Sequence, residues 1–241
     1  MFLTKIDIDT GKRLARKYLG SPQVMHAVVM KTVCGECDSP SADPSSTETQ
    51  GRVLWRIDEG SFGTALYILS PSHPNVADLA REAGLSGSEG RTLDYNPFLS
   101  KLAAGQIWAF RLTANPTHAK SRGKGVRGKR YGHVTVEQQT NWLLDRAPSQ
   151  GFIVLGSEDV GTDPGHPGEA SAFVVRRERP VFNRRHADGN GRDRVTINRT
   201  VYEGLLQITD AQAFRRILIN GLGPSKAYGC GLMTLARPHG C

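Results

Sequence analysis

Long apolar runs are missing from this chain. No segment approaches the roughly 18 consecutive apolar residues that a spanning helix needs, and the amino terminus alternates Leu3, Lys5, Asp7 and Asp9 where a secretory leader needs an apolar block. The chain therefore reads as soluble and cytoplasmic, with no membrane partner. Cysteine is scarce: Cys34, Cys37, Cys230 and Cys241 are too few for a disulfide scaffold. Cys34 and Cys37 form one C-x-x-C, and a zinc site would need Cys230 with His239 or Cys241 to arrive from the far end of the chain. A thioredoxin-like pair would open a helix, whereas this one leads into a Ser/Pro/Thr/Asp-rich loop over 38–50. Reduced thiols and no metal are the expectation. Nucleotide signatures are missing as well. In the glycine-rich stretch 221–232, a dinucleotide fingerprint would want glycine where Lys226 stands, and a P-loop would end in Gly-Lys-Ser/Thr. No cofactor is expected.

What the chain does have is positive charge. Lys+Arg number 31 against 23 Asp+Glu, a net charge of +8 over 241 residues. With 38% hydrophobic residues, and 27 Gly and 13 Pro that follow no three-residue period, the chain is globular and long enough for two small cores. Acid is absent from Lys120 to Arg130, where Lys120, Arg122, Lys124, Arg127, Lys129 and Arg130 alternate with glycines. A second cluster sets Arg176, Arg177, Arg179, Arg184, Arg185, Arg192, Arg194 and Arg199 against Glu178, Asp188 and Asp193 and contains no lysine; two solvated loops are the competing reading. Solvated loops usually mix Lys, Arg and acids. Guanidinium forks suit phosphates and guanine edges, so clustering of this kind points to a nucleic acid.

Periodicity supplies the elements. Phe2, Thr4, Ile6 and Ile8 alternate as a strand. Ser21-Pro22 starts a helix whose stripe is Met25, Val28, Val29 and Thr32. Residues 53–57 and 64–69 read as a hairpin, 76–83 as a short helix and 106–113 as a strand, giving β-α-β-β-α-β. The second half offers a helix over 136–146, strands at 152–155, from 172, over 195–208 and over 232–235, and a helix capped by Asp210. The fold class expected is α+β, two tandem ferredoxin-like (βαββαβ) domains covering 1–115 and 116–241.

Two local features carry chemistry. Closely spaced glycines around Lys226 let successive N–H groups turn toward an anion, although a plain glycine-rich connection reads the same way. His26 falls at the edge of its helix's buried stripe, where an imidazole can face a cleft while the helix stays packed. A structural role for a lone histidine is the competing reading.

Taken in order, Phe2-Leu3-Thr4-Lys5, the helix start Ser21-Pro22 to Met25-His26, Leu54-Trp55-Arg56, Phe110-Arg111-Leu112-Thr113-Ala114-Asn115-Pro116, Gly128-Lys129-Arg130 and the terminal stretch Gly221 to Leu232 resemble the landmarks of the Cas6e (CasE, Cse3) family of CRISPR RNA-processing endoribonucleases over nearly the whole chain. The resemblance implies two ferredoxin-like domains and a metal-independent cut at the base of a hairpin in the repeat of a precursor RNA. There the ribose 2′-OH attacks the phosphate, leaving a 2′,3′-cyclic phosphate and a 5′-OH. It also implies slow, single-turnover action and retention of the cut RNA with the other subunits of the Cascade ribonucleoprotein.

By the same resemblance His26 matches the catalytic histidine, as acid or base. Lys31 matches a position that could stabilise phosphate charge, although it lies about 140° round the helix from His26. Gln23 stands where some members carry tyrosine, and an amide can hydrogen-bond a phosphate or the 2′-OH without moving its proton. Arg176, Arg177, Arg179, Arg184 and Arg185, on a hairpin turning at 188–191, are expected along the RNA stem. Gly221, Gly223, Ser225 and Lys226 are expected to hold backbone near the cut, and Lys129 and Arg130 to touch the same RNA. A non-cleaving RNA-hairpin-binding subunit is the alternative, and a double-stranded DNA binder a third reading.

Overall fold

The computed structural model describes residues 1–34, 51–120, 129–156, 172–185 and 191–238; at Lys120, Lys129, Arg184, Arg185 and Arg192 the backbone alone is described. The expected loop over 38–50, the tip of the basic stretch between 120 and 129, most of the turn at 188–191, and Cys37, His166, His186, His239 and Cys241 lie outside the described residues.

The first unit is β1 (Phe2–Ile8), α1 (Arg13–Leu19), α2 (Pro22–Cys34), β2 (Leu54–Gly60), β3 (Gly63–Ser70), α3 (Ala77–Ala83) and β4 (Arg91–Asp94), with α4 (Asn96–Ser100) following. Its strands run in the order β2-β3-β1-β4, every pairing antiparallel, which is the ferredoxin-like order. Proline opens α2 because a first-turn residue has no intrahelical use for its N–H. Pro22, Met25, Val29 and Thr32 are the buried residues of this helix, three of them from the expected stripe.

The second unit is β5 (Ile107–Ala114), the two-stranded β6 (Thr117–Lys120) and β7 (Lys129–Gly132), α5 (Val136–Arg146), β8 (Phe152–Val154), β9 (Phe173–Glu178), the hairpin β10 (Val181–Arg185) and β11 (Arg192–Thr196), β12 (Arg199–Ile208), α6 (Ala211–Asn220) and β13 (Met233–Ala236). Thr135 and Gln138 form a reciprocal capping box on α5, and the Asp210 carboxylate accepts from two N–H groups of α6. The order β13-β5-β12-β8, with β9 also pairing β12, is again ferredoxin-like, its second strand delivered in two pieces.

The strand expected over 106–113 therefore does not close the first unit. That place is taken by Arg91–Asp94, which pairs with β1, while β5 lies between β12 and β13. The boundary expected at 115 moves back to the segment between β4 and β5. Alternation marks a strand and one buried face; it carries no information about which sheet supplies the neighbours.

One face of the first sheet packs on its own helices, through Ile6, Ile8, Trp55, Leu66 and Ile68. The other face sends Leu54 and Leu69, with Leu3 and Tyr67, into the core of the second unit beside Phe110, Leu112, Leu218 and Met233. Arg56 lies on this second face and is 1% exposed. Its Nε and one terminal nitrogen grip Asp58 at 2.7 and 2.8 Å. Its remaining hydrogens go to the carbonyls of Arg111 (2.7 Å) and Leu232 (3.2 Å) and to Thr234 Oγ1 (2.7 Å). Every guanidinium donor has a partner, and three of those partners belong to the other unit.

Replacing Arg56 takes the donor from two carbonyls at a closed seam and leaves Asp58 with Arg111 as its one cation, and loss of a buried ionic partner costs about 3 kcal/mol or more. Arg56→Leu is expected to lower the melting temperature by roughly 6–12 °C for a chain of this size. Arg56→Lys, which keeps the charge but not the fork, is expected to recover only part of that loss in the same calorimetric scan.

Candidate functional site

His26 sits in the middle of α2, half-buried, on a helix that packs against the short 3-10 turn Lys226–Tyr228 and near β10. Three distant chain segments thus meet at one place. Arg52, just before β2, is held there by its N–H, which donates to Ile219 O at 3.0 Å, at the end of α6. Burial lowers the pKa of His26, and the positive charge of Arg52 lowers it further. The same two causes, in the same order, lower Lys226. An imidazole, an ammonium and an exposed guanidinium therefore share one electrostatic neighbourhood. His26 Nδ1 is buried without a hydrogen-bond partner among the described residues. The ring keeps partial access to solvent and is largely neutral at neutral pH, so it is able to accept a proton.

The glycine-rich stretch is shaped by what lies beneath it. At Gly229 (φ +78°) an added Cβ would lie 2.7 Å from the Trp55 ring, and at Gly223 (φ +82°) 2.9 Å from Trp142. Gly221 is buried with Leu54 at its back. These glycines let the loop lie flat on two indoles and a leucine, with Ser225 and Lys226 part-buried between them. Ser225 is the one non-glycine residue with positive φ among the described residues (64°), a conformation that costs free energy and needs support. Asn115 supplies it by donating to Ser225 Oγ at 2.8 Å, and accepts from the Asn198 N–H. Arg199 donates to Tyr228 O at 3.0 Å and to Glu178 at 3.1 Å.

From this turn a groove of about 1070 Å³ extends across the second unit, lined by Arg130, Arg177, Arg179, Arg194, Ser225 and Tyr228 among others. Phe182 of β10 packs edge-on against Tyr228, ring centroids 4.8 Å apart, joining the arginine hairpin to the glycine loop. The expected hairpin is present, with Arg185 opposite Arg192 and Arg184 opposite Asp193 by backbone register.

Not all expected residues converge. Lys129, Arg184 and Arg185 are placed by their backbone, on β7 and β10. Arg176 is held by Glu59 at 2.7 Å and Glu178 at 2.5 Å; these acids outweigh its burial and raise its pKa, so it ties β9 to the first unit. Gln23 is part-exposed one turn before His26. Lys31 is exposed on another side of α2 and lines a cavity of about 530 Å³ with Tyr18, Asp78 and Glu82, separate from the glycine loop. Its place about 140° round the helix explains the separation. Arg52, Asn115 and Asn198 are the residues sequence reasoning missed as site builders. Asn115 lies within a stretch already singled out, whereas nothing local marks Arg52.

Cys230 is fully buried beside Arg199, and burial pushes its thiol up to about 11, so it is a packing residue. Among the described residues no three His, Cys, Asp or Glu side chains converge as a metal site, and no helix is long and apolar enough to cross a membrane.

Comparison with known proteins gives the same architecture. The chain is 27% identical to the CRISPR-associated endoribonuclease Cse3 of Thermus thermophilus over 240 residues, 98% of this chain and 100% of that one. It is 29% identical to the CRISPR system Cascade subunit CasE of Escherichia coli over 143 residues, covering 56% and 61% of the two chains. A Cse3 structure bound to a 19-nucleotide RNA superimposes with a TM-score of 0.73 at 24% identity, over 98% of this chain and 100% of that one. The model of the family described as CRISPR associated protein matches residues 1–237; the chain belongs to that family.

Proposed function

We propose that the protein is a metal-independent endoribonuclease that cuts CRISPR precursor RNA at the base of the repeat hairpin. It then keeps the product as a subunit of a Cascade complex in the cytoplasm. The observation that carries this reading is the meeting of a part-exposed imidazole with Arg52 and Lys226, on a glycine turn whose Ser225 and Tyr228 line the arginine-bearing groove. The Cse3 and CasE names of the relatives, and the CRISPR RNA-guided surveillance complex in which a structural neighbour occurs, support it.

The chemistry requires only proton transfers and charge stabilisation. His26 takes the proton of the ribose 2′-OH as that oxygen attacks phosphorus. The 2′-O–P bond forms, the P–O5′ bond breaks, and a 2′,3′-cyclic phosphate remains. The departing 5′-oxygen takes up one proton, which Lys226 can supply because burial and Arg52 loosen its hold. Arg52 and Lys226 face the negative charge that builds on the phosphate. Gln23 offers an amide to the phosphate or the 2′-OH. Arg177, Arg179, Arg194 and Arg130 line the groove where a stem's phosphates would run. This reading gives no step to Lys31, which lines the cavity with Asp78 and Glu82.

His26→Ala is expected to retain repeat-hairpin binding and to lose cleavage by about 10²- to 10⁴-fold, measured with chelator present in single-turnover assays. Cleavage by that variant at the unsubstituted rate would remove the mechanism.

With the histidine as base, the second-order cleavage rate should rise as pH climbs through a midpoint below the usual histidine value and level off by neutrality, since the neutral ring is the active form. Arg52→Gln removes a charge that favours the neutral ring, so the midpoint should move to higher pH. A rate that falls over the same interval would assign His26 as acid.

Arg177→Ala and Arg179→Ala should each weaken hairpin binding at low salt and flatten the slope of log affinity against log salt by roughly 0.7–0.9 for each phosphate no longer neutralised.

A further inference from the structure

The cleavage reading leaves one group of rings unused. On the β6–β7 hairpin His118 stands opposite Tyr131 in register, their rings stacked 6.0 Å apart at 24°. The His133 ring, two residues beyond Tyr131, lies 4.9 Å from that of His118. Residues two apart on an extended chain project from the same face, so the three rings form one aromatic surface. Tyr131 is 41% exposed and His118 is exposed as well.

The base of this hairpin is fixed in place. His133 N–H donates to Pro116 O at 2.9 Å, and its carbonyl accepts from both Asn198 Nδ2 and Gln139 Nε2 at 3.0 Å. Gly132 lies so close against Asn198 that a Cβ there would meet it at 2.3 Å. Rings presented from such a base are pre-organised, and ordering them on binding costs little.

Their surroundings are cationic. Tyr131 and His133 line the same groove as Arg130, Arg177, Arg179 and Arg194. Burial and the neighbouring His118 lower the pKa of His133, which favours its uncharged ring. Phosphates need the arginines but have no use for three clustered rings. Bases inside a paired stem are already stacked on one another, whereas an unpaired base can leave its stack and lie on a protein ring.

We infer that His118, Tyr131 and His133 form a stacking station for an unpaired nucleobase in the single-stranded RNA adjoining the bound hairpin. The inference rests on the RNA-hairpin reading of the groove and adds a second recognised part to the substrate.

The test measures affinity in a His26→Ala background, so that RNA stays uncut. Two probes are compared: the bare hairpin of the repeat encoded beside the gene, and the same hairpin with its native single-stranded flanks. The double change His118→Ala, Tyr131→Ala is expected to weaken the flanked RNA by roughly 5- to 150-fold, the equivalent of about 1–3 kcal/mol for one stacked base, and the bare hairpin far less. Tyr131→Phe should bind like tyrosine. An abasic nucleotide stepped through the flanks should reproduce the loss at one position, with no additional loss in the double variant. Equal weakening of both probes, or no weakening of either, overturns the station and leaves the hairpin reading intact. Failure of the His26→Ala protein to bind even the bare hairpin overturns the hairpin reading itself.

Discussion

A buried arginine holds the two halves of this molecule in one arrangement. Each ferredoxin-like unit covers one face of its sheet with helices; what remains is a face that must be closed against something else. Here the first sheet closes against the core of the second unit, and Arg56 sits in the seam with all its donors engaged. Arg111 Nε stands 3.2 Å from the same Asp58 oxygen and pairs also with Glu203, so the carboxylate is shared between sheets. Apolar packing alone would leave two sheets free to slide. A planar fork bonded to carbonyls at fixed spacing does not permit that.

The candidate site depends on that fixed arrangement. His26 belongs to the first unit and Lys226 to the second, and the glycine loop that carries the lysine rests on Trp55 of the first sheet and Trp142 of the second unit. A small rotation at the seam would move the loop off its indole support and carry Lys226 away from the imidazole. Burial is the larger cause of the depressed proton affinity of both groups, and Arg52 adds to it on each only because α2, the start of β2 and the loop converge.

Much of this was legible in the residues. Helix starts at Pro22 and Asp210, the extent of α5, the arginine hairpin and the two βαββαβ units all have local causes: a cap, a proline, an alternation of period two. What was not legible depends on long-range pairing. Ile107–Ala114 alternates as convincingly as any strand, yet only its partners β12 and β13 reveal its sheet. Lys31 shares a helix with His26, and although the roughly 140° between them can be counted from the spacing, the cavity with Asp78 and Glu82 on its side cannot. Arg176 belongs to a basic cluster by sequence, whereas in space two glutamates, one from the first unit, hold it. Arg52 carries no motif of its own; its role comes from the position of the chain beside the end of α6.

The interrupted second strand of the second unit has its own consequence. β8 pairs with the far end of β12 and β9 with the near end, so each piece finds its register independently of the length of chain between them. Residues 157–171 are thus bracketed by two separate anchors. The register of either piece is set by its own pairs with β12, so a change that loosens one end of the ladder leaves the other in step.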